Sequence, residues 1–157
     1  MRISRIIRRL IVPLGLAAVA ACVTTPTASA YDTFYTYQNK STQLCMDDSD
    51  AFGLRDLGCN GLDYQAWEPA LSTGFGNARN MFNENTSLCM DYSDAYGLRA
   101  IGCNNLVYQA FYVIAQSDGS YTFQSAANQN ICVDDSVTYG LRGFSCNGLP
   151  YQEWSAS

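Results

Sequence analysis

Short apolar stretches broken by turn residues run through the chain after residue 30, and none carries helical periodicity over the length a helix needs. Thr33-Phe-Tyr-Thr-Tyr37 alternates in part and is rich in aromatic and β-branched residues, which predicts a strand. Leu44-Cys-Met46 predicts a second, Leu54 to Leu57 a third, and Tyr64 to Trp67 the opening of a fourth, with Pro69 limiting its extension. The acidic stretch Asp47 to Asp50 is expected to turn the chain toward Gly53, and Asn60-Gly61 marks another turn. A second set follows at Arg79 to Phe82, Leu88 to Met90, Leu98 to Ile101 and Tyr108 to Ile114. The third set is Tyr121 to Gln124, Ile131 to Val133, Leu141 to Phe144 and Tyr151 to Trp154, with Asp118-Gly119 predicting a hairpin between Val113 and Tyr121. The pattern predicts an all-β domain of about 12 short strands, whose closure into a barrel would remove exposed sheet edges.

The three sets are copies of one cassette. Cys45 to Trp67 returns at Cys89 to Phe111 and at Cys132 to Trp154 without internal gaps, at a period of 44 and then 43 residues. Cys45, Cys89 and Cys132 correspond, as do Arg55, Arg99 and Arg142; Cys59, Cys103 and Cys146; and Gln65, Gln109 and Gln152. Each copy of such a repeat is a supersecondary unit that closes its core against its neighbours. The repeats are expected at about 31–74, 75–117 and 118–157. Trp67, Phe111 and Trp154 would then pack round a pseudo-threefold axis, with Leu44, Leu88 and Ile131 as partners.

Composition adds a leader and a compartment. Arg2, Arg5, Arg8 and Arg9 precede the apolar run Leu10 to Cys22, and Ala28-Ser29-Ala30 has the form of a cleavage site, so residues 1–30 read as a secretory signal. Val19-Ala20-Ala21-Cys22 also has the form of a lipid-attachment box, which would anchor the domain through Cys22. Four of the nine basic residues lie in this leader, leaving five against fourteen acids, a net charge of −9 for residues 31–157. That balance argues against nucleic-acid backbones and anionic membrane surfaces as partners, and the apolar run is too short to be an integral membrane segment. The six remaining cysteines, two per repeat and 14 apart, imply disulfides in an exported chain. Cys45–Cys59, Cys89–Cys103 and Cys132–Cys146 is the scheme that treats the copies alike.

The Gln-x-Trp positions resemble the ricin-type (R-type) β-trefoil lectins. Gln65-Ala-Trp67 and Gln152-Glu-Trp154 match that signature, Gln109-Ala-Phe111 departs conservatively, and Cys45-Met-Asp47, Cys89-Met-Asp91 and Cys132-Val-Asp134 resemble its Cys-hydrophobic-Asp element. The resemblance implies a β-trefoil of three pseudo-threefold repeats, four short strands each, over residues 31–157, and a carbohydrate-binding function. Within that fold the tails Asn60 to Trp67, Asn104 to Phe111 and Asn147 to Trp154 are similar to the actinohivin-like mannose-binding lectins. That likeness implies sugar contacts by Asp47, Asp91 and Asp134; by Asn60, Asn104 and Asn147; and by Tyr64, Tyr108 and Tyr151, with Leu57, Ile101 and Phe144 packing near the sugar. One contact departs in every copy: Arg55, Arg99 and Arg142 stand where those lectins have a further sugar-binding Tyr.

The residue chemistry supports a binding set without the family. A carboxylate accepts from adjacent sugar hydroxyls, an amide donates and accepts, an aromatic ring covers the apolar C–H face, and arginine donates a fork to hydroxyls or to an acidic group. Two alternatives stay open: each Asp salt-bridges its own Arg to fix the hairpin, and each Tyr is half-buried packing. Arg99→Ala is expected to change glycan preference with little loss of stability. No histidine is present, the triplicated Asp suits repeated binding better than the two unlike carboxylates of a glycosidase, and the acidic runs lack an EF-hand pattern. The expectation is therefore a secreted, non-catalytic monomer with up to three weak glycan sites, three-site avidity, and no metal or cofactor. An extracellular inhibitor or protein-interaction module on the same fold is the alternative.

Overall fold

The computed structural model describes residues 33–157; the leader and its lipid-attachment box lie outside the described residues. Twelve antiparallel strands form one sheet system. The first repeat holds β1 (Tyr37–Asn39), β2 (Leu44–Ser49), β3 (Gly53–Gly58) and β4 (Trp67–Leu71). The second holds β5 (Arg79–Asn83), β6 (Leu88–Ser93), β7 (Gly97–Gly102) and β8 (Ala110–Ala115). The third holds β9 (Tyr121–Ser125), β10 (Ile131–Ser136), β11 (Gly140–Ser145) and β12 (Trp154–Ala156).

The outer strands of the three repeats close a six-stranded barrel. β1 pairs with β12, β12 with β9, β9 with β8, β8 with β5 and β5 with β4. The ring shuts at the Tyr35–Trp67 bridge, where each residue donates its N–H to the other's carbonyl at 2.9 Å. Closure leaves no barrel edge open to pairing. The inner pairs β2–β3, β6–β7 and β10–β11 form three hairpins, and β3, β7 and β11 pack on one another. This is a β-trefoil, the architecture implied by the three cassettes.

The core is built in threes. Trp67, Phe111 and Trp154 are all but fully buried, as are Met46, Met90 and Val133 from the hairpins and Tyr37, Met81 and Phe123 from the barrel. Trp67 Nε1 donates to the Met46 carbonyl at 3.1 Å and Trp154 Nε1 to the Val133 carbonyl at 3.3 Å; Phe111 has no such donor. Leu44 and Leu88, expected as partners, are only half-buried at the outer ends of β2 and β6, and the fully buried Met46 and Met90, one step further in on the same strand face, fill the core; Ile131, also half-buried, does pack against the core. Each hairpin is stapled by its disulfide, Cys45–Cys59, Cys89–Cys103 or Cys132–Cys146, and each staple contributes on the order of 3 kcal/mol in the chain-entropy model.

Three local expectations are corrected. Asp47 and Asp48 do not turn the chain but continue β2, both buried, because each carboxylate finds partners inside. The turn comes later: Phe52 N–H donates to the Ser49 carbonyl and Gly53 takes φ +68, a left-handed value that glycine adopts without strain. Tyr64 does not open β4; it sits in a short 3₁₀ turn, Asp63–Gln65, repeated at Val107–Gln109 and Pro150–Gln152. Pro69 lies inside β4, opposite Met81, and does not end the strand.

The seams between repeats are unequal. Thr86 donates its hydroxyl to Asp48 across the first seam, and Thr42 donates to Asp135 across the seam that closes the ring. The second repeat has Tyr92 in place of that buried aspartate, and Asp94 there accepts from Tyr92 Oη and from Asn128 of the third repeat. The Tyr92 ring lies over Gly143, where a methyl group would fall inside the ring's contact distance and 3.0 Å from Ile131 Cγ2. Gly143→Ala is therefore expected to cost about 1–3 kcal/mol through overpacking. The cost should fall in a Tyr92→Ala background to what the Ile131 contact alone imposes; equal costs in both backgrounds, read by chemical denaturation, would exclude the Tyr92 contact as its cause.

Candidate functional site

Strand alternation brings the predicted residues to one face of each hairpin. Asp47 lies directly across from Arg55, and Leu57 follows Arg55 by two positions, so it points the same way. The same register holds for Asp91, Arg99 and Ile101, and for Asp134, Arg142 and Phe144. Arg Nε donates to Asp Oδ1 at 2.9, 2.9 and 3.0 Å in the three copies.

The loop that follows each hairpin is folded by its glutamine. Gln65 is fully buried; its Oε1 accepts the Asn60 N–H at 2.8 Å, and its Nε2 donates to the Gly58 carbonyl at 3.1 Å and to Asp47 Oδ2 at 3.3 Å. Gln152 repeats all three bonds and Gln109 the two backbone ones. Asn60 Oδ1 accepts the Leu62 N–H at 3.0 Å, as Asn104 and Asn147 do for Leu106 and Leu149. The 3₁₀ turn then sends Gln65 inward and leaves Tyr64 half-buried; Tyr108 and Tyr151 are exposed.

All five predicted residues of the first repeat, Asp47, Arg55, Leu57, Asn60 and Tyr64, line one shallow groove of about 380 Å³. In the third repeat Asp134, Arg142, Phe144, Asn147 and Tyr151 line a groove of about 310 Å³. In the second, Asp91, Arg99 and Ile101 keep the strand register, and Asn104 and Tyr108 keep their places in the loop.

The structure bears on both alternatives left open by the sequence. The Asp–Arg pairing is realised in every copy, with Asp side chains only 2–3% exposed, so each carboxylate fixes its arginine, and Asp47 and Asp134 do so from within their grooves. The second alternative is met in part, since Tyr64 is half-buried while Tyr108 and Tyr151 are exposed. Because Arg99→Ala would strand the buried Asp91 carboxylate, the geometry replaces the expectation of little stability loss with an expected destabilisation.

With Asp47 and Asp134, the glutamines and the Asn carbonyl oxygens occupied within the protein, three groups of each motif remain to donate to a ligand. They are the Arg Nη groups, Asn Nδ2 and the Tyr hydroxyl. The structure adds aromatics that the motif comparison passed over. Arg55 lies 4.5 Å over the Phe52 ring, Arg99 4.5 Å over Tyr96 and Arg142 4.4 Å over Tyr139, and these rings are about 70% exposed. Their signal was in the sequence as an aromatic before the turn glycine of every copy. Leu62 and Leu149 supply apolar rim to the mapped grooves. Buried Asn83 donates to the Tyr64 carbonyl at 2.9 Å and Asn39 to the Tyr151 carbonyl at 2.8 Å, so two of the tyrosine turns are held by the next repeat round the ring.

No family model matches the chain, and no curated protein sequence matches it. Solved structures do match in shape. The BEL β-trefoil is similar with a TM-score of 0.70 at 12% identity, over 84% of this chain and 97% of that one. The Rhizoctonia solani agglutinin matches with a TM-score of 0.64 at 17% identity, over 82% of this chain and 96% of that one. A mosquitocidal holotoxin matches with a TM-score of 0.71 at 17% identity, over 82% of this chain, which spans only 17% of the toxin. At these identities the likeness is one of fold, and the fold is the β-trefoil.

Proposed function

We propose that this is an exported, non-catalytic carbohydrate-binding protein that uses the three hairpin grooves as weak, separate sites. The observation that carries the reading is the convergence of Arg, Asn and Tyr from distant parts of the first and third cassettes on one groove each, over a carboxylate that the protein itself neutralises. Donors aimed across a shallow, partly aromatic groove suit the hydroxyls and C–H face of a sugar. A paired, buried Asp does not suit the acid or nucleophile of a glycosidase, which supports binding without cleavage. Three disulfides fit an oxidising compartment, and among the described residues no helix is long and apolar enough to cross a membrane. As a monomer the chain would gain avidity only where a glycan presents epitopes at matching spacing.

A glycan array followed by calorimetry tests this. Tyr64→Ala, Tyr108→Ala and Tyr151→Ala together should remove binding while leaving stability within about 0.5 kcal/mol for each exposed position. Absence of binding to any glycan, or binding indifferent to these changes, would overturn the reading in favour of a protein-interaction module.

A further inference from the structure

The three grooves are not chemically equal, and the difference concerns charge. In the first repeat Asp50 lines the groove with Asp47, so two carboxylates share it with one arginine. The second repeat keeps that acid as Asp94. In the third repeat Val137 stands at this position and is 88% exposed, while Pro150 replaces Asp63 in the 3₁₀ turn. Asp134 is the one acid among the residues lining the third groove, and it is already paired with Arg142 at 3.0 Å. Asp56 approaches Gly140 from the first repeat but does not line the groove.

Arg142 also differs in how it is held. Its guanidinium carbon lies 4.4 Å from the Tyr139 ring centre and 4.3 Å from that of Phe144, whereas Leu57 and Ile101 fill the second position in the other copies. One donor of the fork, Nε, is spent on Asp134, and the terminal Nη groups have no hydrogen-bond partner among the described residues. A fork fixed by a carboxylate on one edge and by two rings is pre-organised for a two-point acceptor on its free edge.

We propose that the third groove recognises an anionic sugar, one bearing a carboxylate or sulfate, with Arg142 as the anion-binding residue. The first groove, with its second acid, favours neutral sugars. This rests on the carbohydrate-binding reading above and assigns a substrate class to one of its three sites.

Calorimetry on the full chain with three oligosaccharides of one backbone, neutral, uronate-bearing and sulfated, tests it, the two acidic arms separating the two acceptors. At least one acidic form should bind the third site roughly tenfold more tightly than the neutral form, with an affinity that falls as salt rises. Arg142→Lys keeps a cation against Asp134 but removes the fork, and should abolish the preference, whereas Arg55→Lys should leave it intact. Val137→Asp restores the missing acid at an exposed position, away from the core, and should weaken acidic ligands by roughly fivefold without touching neutral binding. Equal affinity for acidic and neutral forms, or a preference that survives both Arg142→Lys and Val137→Asp, would overturn the assignment while leaving the carbohydrate reading in place. Failure of all three sugars to bind would sink both.

Discussion

Arg99→Ala should lower the free energy of unfolding by about 2–3 kcal/mol, while Arg99→Lys should lose less than about 1 kcal/mol. The asymmetry follows from burial. Asp91 is 3% exposed and its Oδ1 rests on Arg99 Nε, whereas the Arg99 side chain is 37% exposed. Removing the arginine leaves an uncompensated charge out of water, which in a fully buried pair costs roughly 3–5 kcal/mol; water reaching the arginine's side of this pair trims that figure. Asp91 also receives no bond from Gln109, unlike Asp47 and Asp134, which are contacted by Gln65 and Gln152 at 3.3 Å. The second repeat is thus the one where the arginine's loss is least cushioned. Thermal and urea unfolding of the two variants decide the matter; an alanine variant as stable as the parent would mean that the pair contributes nothing to folding.

The pair also shows how far the sequence could be read. Three in-phase cassettes carry the trefoil, because each repeated Gln, aromatic or Cys pair has the same job three times, and the burial of the Gln and the aromatic follows from recurrence. The grouping of Asp, Arg, Asn and Tyr at one groove was legible on the same ground. Their division of labour was not. Whether Asp47 faces a sugar or its own arginine depends on which face of β2 is covered, and that is set by strands from the rest of the barrel. Asp48 was read as turn material because carboxylates shun strands. Its partner Thr86 is 38 residues away, and Thr42 lies 93 residues from Asp135. Such pairs leave no local signal. The departures from threefold symmetry, Tyr92 against Gly143 and Val137 against Asp50, were visible as substitutions but acquired meaning only once the hairpins were seen to meet.

Asp135→Asn should flatten the pH dependence of stability between about pH 4 and pH 7. The Asp135 side chain is fully buried at the ring-closing seam, its Oδ2 accepting from Thr42 and its Oδ1 without a partner. Burial pushes its pKa up from 3.8 to about 6; Asp56 and Asp134 push the same way, against the Thr42 hydrogen bond. A carboxyl that holds its proton more tightly in the folded than in the unfolded chain contributes stability that is complete below about pH 4 and is lost as pH rises through about 6. A shift of this size corresponds to about 3 kcal/mol between those limits. Asp48, raised in the same direction chiefly by burial, adds to the trend. The parent should therefore be more stable in mildly acidic than in neutral solution as far as these groups decide it. The asparagine variant should gain on it as pH rises, whatever constant offset its amide introduces at the site. Melting temperatures of both proteins across this window are the measurement. A difference between them that stays constant from pH 4 to pH 7 would show that Asp135 does not change its protonation on folding.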